Sequence, residues 1–79
     1  MSSDPPVDRT VIDAWCEALG VPTADLGDDF FASGGHSFAA VQLMTAVESA
    51  LPITFPLETL FSDNLEAVIK ECEARMPTD

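Results

Sequence analysis

The segment with the clearest chemical potential is Asp28–Ser37, which reads Asp-Asp-Phe-Phe-Ala-Ser-Gly-Gly-His-Ser. Gly34 and Gly35 let the backbone turn freely and leave no Cβ to block an incoming group. Ser37 follows at the predicted start of a helix, where unpaired amide N–H groups meet the positive end of the helix dipole. Such a position suits a hydroxyl that carries a negatively charged group, a phosphate above all. We therefore expect Ser37 to be a modification site that another protein's active site can reach.

Two other interpretations of this segment follow from the same residues. Serine is a common helix N-cap, so Ser37 could simply begin the helix. A hydrolytic triad could be built from Ser37, His36 and one of the aspartates Asp28 and Asp29. Neighbouring residues at a helix start point in different directions, however, and nothing in the sequence supplies a substrate pocket. We expect His36 to be a surface or loop-packing residue that tunes partner contacts and transfers no proton.

Metal binding is a further chemistry to consider, because the sequence contains Cys16, His36 and Cys72. Their separations match no ligand pattern such as Cys-x2-Cys, and the acidic residues lack the order of a calcium-binding loop. Both cysteines fall on apolar helical stripes, so we interpret them as small buried hydrophobic residues. No metal site is predicted, and Asp28 and Asp29 are expected to be local caps or contacts in the loop.

The charge of the chain excludes several classes of partner. The 79 residues include 14 acidic and 3 basic ones, which gives a net charge of −11. This balance disfavours nucleic acid and anionic membranes, because both attract clustered Lys and Arg. A charged partner should instead present a basic patch. The sequence shows no signal peptide, no bilayer-spanning apolar run and no disulfide framework, so we expect a cytoplasmic protein with reduced thiols.

The fold class predicted from the apolar spacing is all-α, a small four-helix bundle with three main helices, a short third helix and a long loop between the first two. The predicted helices span about 7–19, 37–50, 56–61 and 65–76. A single helical turn capped by Thr23 is expected at 23–26. The whole chain, 1–79, is expected to be one domain with frayed ends at 1–6 and 76–79.

Several residues should fix the helix ends and the loop. Gly20 suits a left-handed cap after the first helix, and Asn64 suits an N-cap for the fourth. At least one of Phe30 and Phe31 should be buried, because a long loop in so small a domain needs an anchor. The core-facing stripe of the first helix is predicted to be Ile12, Trp15, Cys16 and Leu19, widened by Val11 and Ala18.

The string FFASGGHS, followed by an apolar helix and later by PLETLF, resembles the phosphopantetheine-dependent carrier proteins, specifically the peptidyl (thiolation) carriers of nonribosomal peptide synthesis. The resemblance runs from about Val7 to Arg75. It implies the acyl carrier protein fold and a 4′-phosphopantetheine arm esterified to Ser37, which would hold an aminoacyl or peptidyl group as a thioester. It also implies a carrier with no catalytic activity of its own. His36 favours the peptidyl type, because fatty-acid and polyketide carriers usually have Asp at that position.

The resemblance further implies the partners of the chain: a phosphopantetheinyl transferase, an adenylating enzyme that loads the arm, and condensation or tailoring enzymes. We expect them to dock around Ser37, because the second helix is apolar on most faces in an otherwise acidic protein. The expected partner contacts are Gly34, Gly35, His36, Phe38, Val41, Gln42, Leu57 and Thr59. A monomer is expected, and the extent of the sequence favours a free-standing carrier.

Some positions depart from the usual pattern of these carriers. Ser33 stands where Leu is usual, Phe38 where Leu or Ile is usual, and Asp63–Asn64 where Pro-Thr is usual. These changes affect the choice of partner more than the modification itself. Two alternative functions remain at this point: an acyl carrier of the polyketide or fatty-acid type, and an acidic helical interaction module whose serine stays unmodified.

Overall fold

The computed structural model describes residues 6–77, and this part of the chain folds into four α-helices. They are α1 (Val7–Leu19), α2 (Ser37–Ala50), α3 (Leu57–Ser62) and α4 (Leu65–Arg75). α1 packs against both α2 and α4, and α3 packs against α4. The only β-pairing within residues 6–77 is an isolated antiparallel bridge between Asp29 and Asn64. The predicted all-α, four-helix architecture is therefore confirmed.

The core is apolar and is built from all four helices, the loop between α1 and α2, and the segment between α2 and α3. Trp15 and Phe30 are its two largest fully buried side chains, and their rings meet edge to face with centroids 5.2 Å apart. Phe30 is thus the buried anchor that the sequence predicts for the loop. No polar or charged residue of the described chain is buried, so burial of apolar surface supplies most of the stability of this small domain.

The buried face of α1 differs from the predicted stripe. Val11, Ala14 and Trp15 are buried. Three residues of the predicted stripe are only half-buried, namely Ile12, Cys16 and Leu19. The reason is that α1 contacts two helices rather than one. Its buried face is therefore centred between α2 and α4, and Ile12 lies at the edge of the contact with α4.

The predicted caps of α1 and α4 are present. Gly20 adopts a left-handed conformation (φ 69°), and the next N–H, that of Val21, donates to the Cys16 carbonyl oxygen at 3.0 Å. Asn64 Oδ1 accepts from the Ala67 N–H at 3.0 Å. Each cap satisfies a backbone group that the helix itself leaves without a partner.

The helical turn expected at 23–26 does not form. Instead, Asp28 Oδ2 accepts from the Asp25 N–H at 2.9 Å, and the Asp28 N–H donates to the Asp25 carbonyl at 3.0 Å. These bonds close a turn centred on Leu26 and Gly27. An aspartate side chain that captures a nearby backbone N–H competes with helix formation, which explains the wrong prediction.

Backbone hydrogen bonds attach this turn to α4. The Leu65 N–H donates to the Asp28 carbonyl, and the Glu66 N–H donates to the Leu26 carbonyl, both at 2.9 Å. The loop therefore satisfies two of the N–H groups that the first turn of α4 cannot pair internally. As a result, the first half of the long loop is held against α4 as well as against the core.

Charged side chains hold the segment between α2 and α3. Glu48, the only charged residue of α2, accepts from the Phe55 N–H at 2.8 Å, and Arg75 donates to the Thr54 carbonyl at 2.8 Å.

The expectation of frayed ends falls largely on residues 1–5 and 78–79, outside the described residues. Met76, which it included, is partly buried against the core. Within residues 6–77, no helix is long and apolar enough to cross a membrane.

The Asn64 cap yields a first prediction. Asn64→Ala removes the acceptor for the Ala67 N–H, and we expect it to lower the free energy of unfolding by about 1 kcal/mol. Asn64→Asp keeps an acceptor at the same place and is the matched control. Urea denaturation followed by circular dichroism measures both variants. Equal stabilities of Asn64→Ala and wild type would contradict the assigned cap.

Candidate functional site

The loop segment that precedes α2 is a compact series of turns around the buried Phe30. The Ser33 N–H donates to the Asp29 carbonyl at 3.0 Å, and the Ala32 N–H donates to Asp29 Oδ2 at 2.9 Å. The Gly35 N–H then donates to the Phe30 carbonyl at 2.9 Å. Asp29 is therefore a local cap, as the sequence predicts. The segment that leads into Ser37 is fixed by its own backbone hydrogen bonds and by the anchor in the core.

Glycine is required at two positions of this segment for different reasons. Gly34 has φ 102°, a conformation that residues with a side chain rarely adopt. Gly35 has an ordinary backbone conformation but lies directly against Phe30. A Cβ added to Gly35 would come within 2.6 Å of the Phe30 carbonyl oxygen and closer still to the Phe30 ring. The Gly-Gly pair thus permits both the turn and the close approach of the backbone to the anchor.

His36, and not Ser37, is the N-cap of α2. The backbone of His36 is extended, and its Nδ1 accepts from the Ala39 N–H with an N···N distance of 3.3 Å. Its carbonyl accepts from the Ala40 N–H at 2.9 Å. The simpler interpretation of Ser37 as the N-cap is therefore wrong. His36 is exposed, but its ring has a structural role that the sequence pattern did not indicate.

Ser37 is the first residue of α2, and it is exposed. Its hydroxyl makes no hydrogen bond among the described residues. The backbone N–H groups of Ser37 and Phe38 likewise have no acceptor in this part of the chain. Two unpaired N–H groups at the start of a 14-residue helix favour an anion next to the hydroxyl. The site therefore fits a phosphate ester on Ser37, with room for an external enzyme to reach the oxygen.

The side chains considered for a triad are engaged elsewhere. His36 Nδ1 is occupied by the Ala39 N–H, while Asp28 and Asp29 accept from backbone N–H groups of their own loop. No Ser-His-Asp chain of hydrogen bonds is formed at Ser37. Chemically, the arrangement can present the Ser37 hydroxyl for modification by another protein.

The two cysteines are the residues that the sequence offered as possible metal ligands. No group of three potential His, Cys, Asp or Glu ligands occurs in the part of the chain that the structure describes. Burial raises the pKa of the Cys72 thiol to about 11. The pKa of Cys16 is also raised, first by burial and then by Asp13 and Asp28. Both thiols are thus protonated at neutral pH. Cys72 is fully buried as predicted, whereas Cys16 is only half-buried.

The surface around Ser37 is apolar and exposed. Phe38 is 67% exposed and Val41 49% exposed, and Gln42 is exposed beside them. Of the other expected contacts, Gly34 and His36 are exposed, whereas Gly35, Leu57 and Thr59 are half-buried. The only charged residue of α2, Glu48, is bound to the segment before α3. This face of α2 therefore offers apolar contact area without a charge of its own.

Phe31 and Phe61 form a further exposed apolar pair, although neither was among the contacts expected from the sequence. Their rings lie 5.4 Å apart with an interplanar angle of 30°, and they are 38% and 52% exposed. The pair connects the loop to α3. The doublet Phe30–Phe31 was the sequence signal for this exposed pair: because the Phe30 ring fills the core, the Phe31 ring must point away from it.

Comparisons with known proteins agree on one family. Residues 9–71 match the family described as "Phosphopantetheine attachment site". The chain is 38% identical over 56 residues (71% of its length) to a component of the linear gramicidin synthase of Brevibacillus parabrevis. It is 40% identical over 48 residues (61%) to tyrocidine synthase 3 of the same organism, and 32% identical over 69 residues (86%) to surfactin synthase subunit 1 of Bacillus subtilis (strain 168). The chain spans only 1–2% of the length of these relatives. No solved structure matches it.

Replacement of Gly35 tests the anchor of the loop. Gly35→Ala is expected to lower the free energy of unfolding by about 1–3 kcal/mol, because its Cβ must displace the Phe30 ring from the core. Gly27→Ala is the matched control, since a Cβ at Gly27 meets no atom within 4 Å. Thermal and urea denaturation measure both variants. If Gly35→Ala were as stable as Gly27→Ala, the close contact with Phe30 would be wrong.

Replacement of His36 tests the cap of α2. His36→Ala is expected to cost about 1 kcal/mol and to speed hydrogen exchange at the Ala39 amide, which loses its acceptor. His36→Asp supplies a new acceptor at the N-cap and should restore most of that protection. Amide exchange measured by NMR separates the two variants. Unchanged exchange at Ala39 in His36→Ala would contradict the assignment.

Proposed function

The chain belongs to the family of phosphopantetheine attachment domains, and we propose that it is a peptidyl carrier whose 4′-phosphopantetheine arm is attached to Ser37. The family carries this cofactor covalently. The observation that supports Ser37 as the attachment point is its place in the structure: an exposed hydroxyl on the first residue of α2, beside two unpaired backbone N–H groups. The chain acts as a carrier and does not itself catalyse a reaction.

The arm supplies a thiol that holds the cargo as a thioester, and the residues of this chain hold the arm. The Ser37 hydroxyl provides the oxygen of the ester. The N–H groups of Ser37 and Phe38 and the positive end of α2 favour the negative charge of the phosphodiester. Gly34 leaves open space next to the attachment point, since a Cβ there would meet no atom within 4 Å.

Two observations support an aminoacyl or peptidyl cargo in nonribosomal peptide synthesis. The relatives are synthases for gramicidin, tyrocidine and surfactin. In addition, His36 precedes the serine, as the resemblance to peptidyl carriers implies. The side chains of the core are well packed around Trp15 and Phe30, so we place the acyl group outside the bundle, where partner enzymes can reach it.

Carrier domains of nonribosomal peptide synthetases are modified by a phosphopantetheinyl transferase and work with adenylation, condensation and other enzymes. We propose that such partners dock on the exposed apolar surface around Ser37. The large exposed areas of Phe38 and Val41 support this position, because contiguous apolar surface on a small acidic protein marks a contact site. A partner would gain apolar burial there without having to desolvate a charge on this face of α2.

The oligomeric state and the cellular location of the carrier are also proposals. We propose a monomer, because two copies that each carry a net charge of −11 repel one another. We place it in the cytoplasm, where thiols stay reduced, since both of its cysteines are free.

Intact mass spectrometry tests the attachment site. After incubation with coenzyme A and a promiscuous phosphopantetheinyl transferase, the wild-type protein should gain the mass of a single phosphopantetheinyl group. Ser37→Ala should gain none, because the accepting oxygen is missing. Ser33→Ala is the matched control and should be modified like wild type. An unmodified wild type would support the alternative of a purely non-covalent interaction module, and a modified Ser37→Ala would reject Ser37.

Loading of the arm tests the docking surface. Once Ser37 carries the arm, Val41→Asp should lower kcat/KM for aminoacylation by an adenylating enzyme by about tenfold, because a charge then enters an apolar contact. Ser49→Asp adds the same charge near the other end of α2 and should load like wild type. Circular dichroism should show intact helices in both variants. Equal loading of Val41→Asp and wild type would remove this surface from consideration, and loading only with malonyl groups would favour the polyketide or fatty-acid type.

A further inference from the structure

A second surface of the protein is a groove between α1, the loop and α4, which we call the α1–α4 groove. It has a volume of about 360 Å³. The residues that line it are Asp8, Ile12, Ala24, Leu26, Glu66, Ile69, Lys70 and Glu73. None of them belongs to α2, to α3 or to the segment that leads into Ser37. The groove is thus separate from the surface on which the carrier function depends.

The floor of the groove is apolar. Ile69 is almost completely buried, Ile12 and Ala24 are half-buried, and Leu26 is 47% exposed on the wall formed by the loop. Leu26 is one of the few large hydrophobic side chains that the fold leaves open, and no other exposed one lines this groove. A ligand with an apolar face would cover it and gain the free energy of that burial.

The wall that carries Leu26 is fixed in place. The Leu26 carbonyl accepts from the Glu66 N–H, and two residues later the Asp28 carbonyl accepts from the Leu65 N–H, both at 2.9 Å. The turn itself is closed by the hydrogen bonds between Asp25 and Asp28. The groove is therefore preformed, and a ligand would bind without having to order this part of the loop.

The rim of the groove is acidic. Asp8, Glu66 and Glu73 contribute three carboxylates, and Lys70 contributes the single positive charge. Lys70 Nζ lies 3.8 Å from Glu66 Oε2, but the two side chains are 72% and 50% exposed, so this pair is held weakly. Glu73 forms no ion pair within residues 6–77. Carboxylates thus surround an apolar floor and are available to a cation.

We propose that the α1–α4 groove binds a basic amphipathic helix of a partner protein. Apolar side chains on one face of such a helix would contact Ile12, Leu26 and Ile69, and flanking Lys or Arg residues would reach the acidic rim. A second copy of this chain is disfavoured by its own charge of −11. Because no residue around Ser37 lines the groove, the partner helix can stay bound while the serine and anything attached to it remain accessible.

The test measures binding of a fluorescent synthetic helix by anisotropy at physiological salt. The peptide carries leucines at i, i+3, i+4 and i+7 with lysines on the flanking positions. Glu66→Gln combined with Glu73→Gln should weaken its binding about three- to tenfold, because two attractive charges are lost. Leu26→Ser should weaken binding to a similar degree without any change in charge. Circular dichroism verifies that both variants remain folded.

The control separates the groove from the general negative charge of the protein. Glu17→Gln combined with Glu58→Gln removes the same two charges at exposed positions outside the groove. It should change the affinity by less than about twofold, because salt screens distant charges. Chemical shifts of the amides of Ile12, Leu26 and Ile69 should move on titration with the peptide. Ser37→Ala should bind as wild type does, so that a failure of the carrier function leaves this test intact.

Several outcomes would overturn the proposal. Equal weakening by the two glutamine pairs would mean that only the overall charge attracts the peptide. Shift changes confined to α2 and α3 would place the peptide on the surface around Ser37 instead. Sedimentation that shows a dimer closed through the groove would make a second copy the occupant.

Discussion

The position of Ser37 depends on the contact between the Phe30 ring and the backbone of Gly35. Phe30 is fixed by burial against Trp15, and only a glycine can lie against its ring at that place. The segment of the chain from Phe30 to Ser37 is therefore tied at one end to the core and at the other to the first turn of α2. Without this anchor, a long loop would carry the serine through many conformations, and ordering them would oppose recognition by an external enzyme.

The same constraint explains how so small a domain can have a function without an active site. Within residues 6–77, its apolar side chains form one thin core, as expected for a chain of this length. The function must therefore depend on the surface of the protein. The start of α2 offers a hydroxyl next to unpaired N–H groups, the adjoining face offers apolar contact, and the α1–α4 groove offers apolar contact edged with charge. In the function that we propose, recognition is divided among these separate parts of the surface, and partner enzymes carry out the chemistry.

Much of the fold could be predicted from the sequence, because helix periodicity and capping residues act locally. The bounds of α1 and α2 and the caps at Gly20 and Asn64 needed only such signals. What the sequence did not reveal depends on competition or on tertiary contact. The capture of the Asp25 N–H by Asp28 competed with a helical turn, and the cap at His36 required knowing which side chain faces Ala39. The surface formed by Phe31 and Phe61 arises from two segments that meet only in the folded chain.

The most direct test of the anchor is an NMR measurement of through-space contacts in the unmodified protein. We expect strong nuclear Overhauser effects from the Phe30 ring protons to the α-protons of Gly35 and to the Trp15 ring. We also expect Gly35 α-proton shifts displaced from random-coil values by the aromatic ring current. Absence of these contacts, with random-coil shifts at Gly35 while α1 and α2 are formed, would contradict the claim that Phe30 positions Ser37.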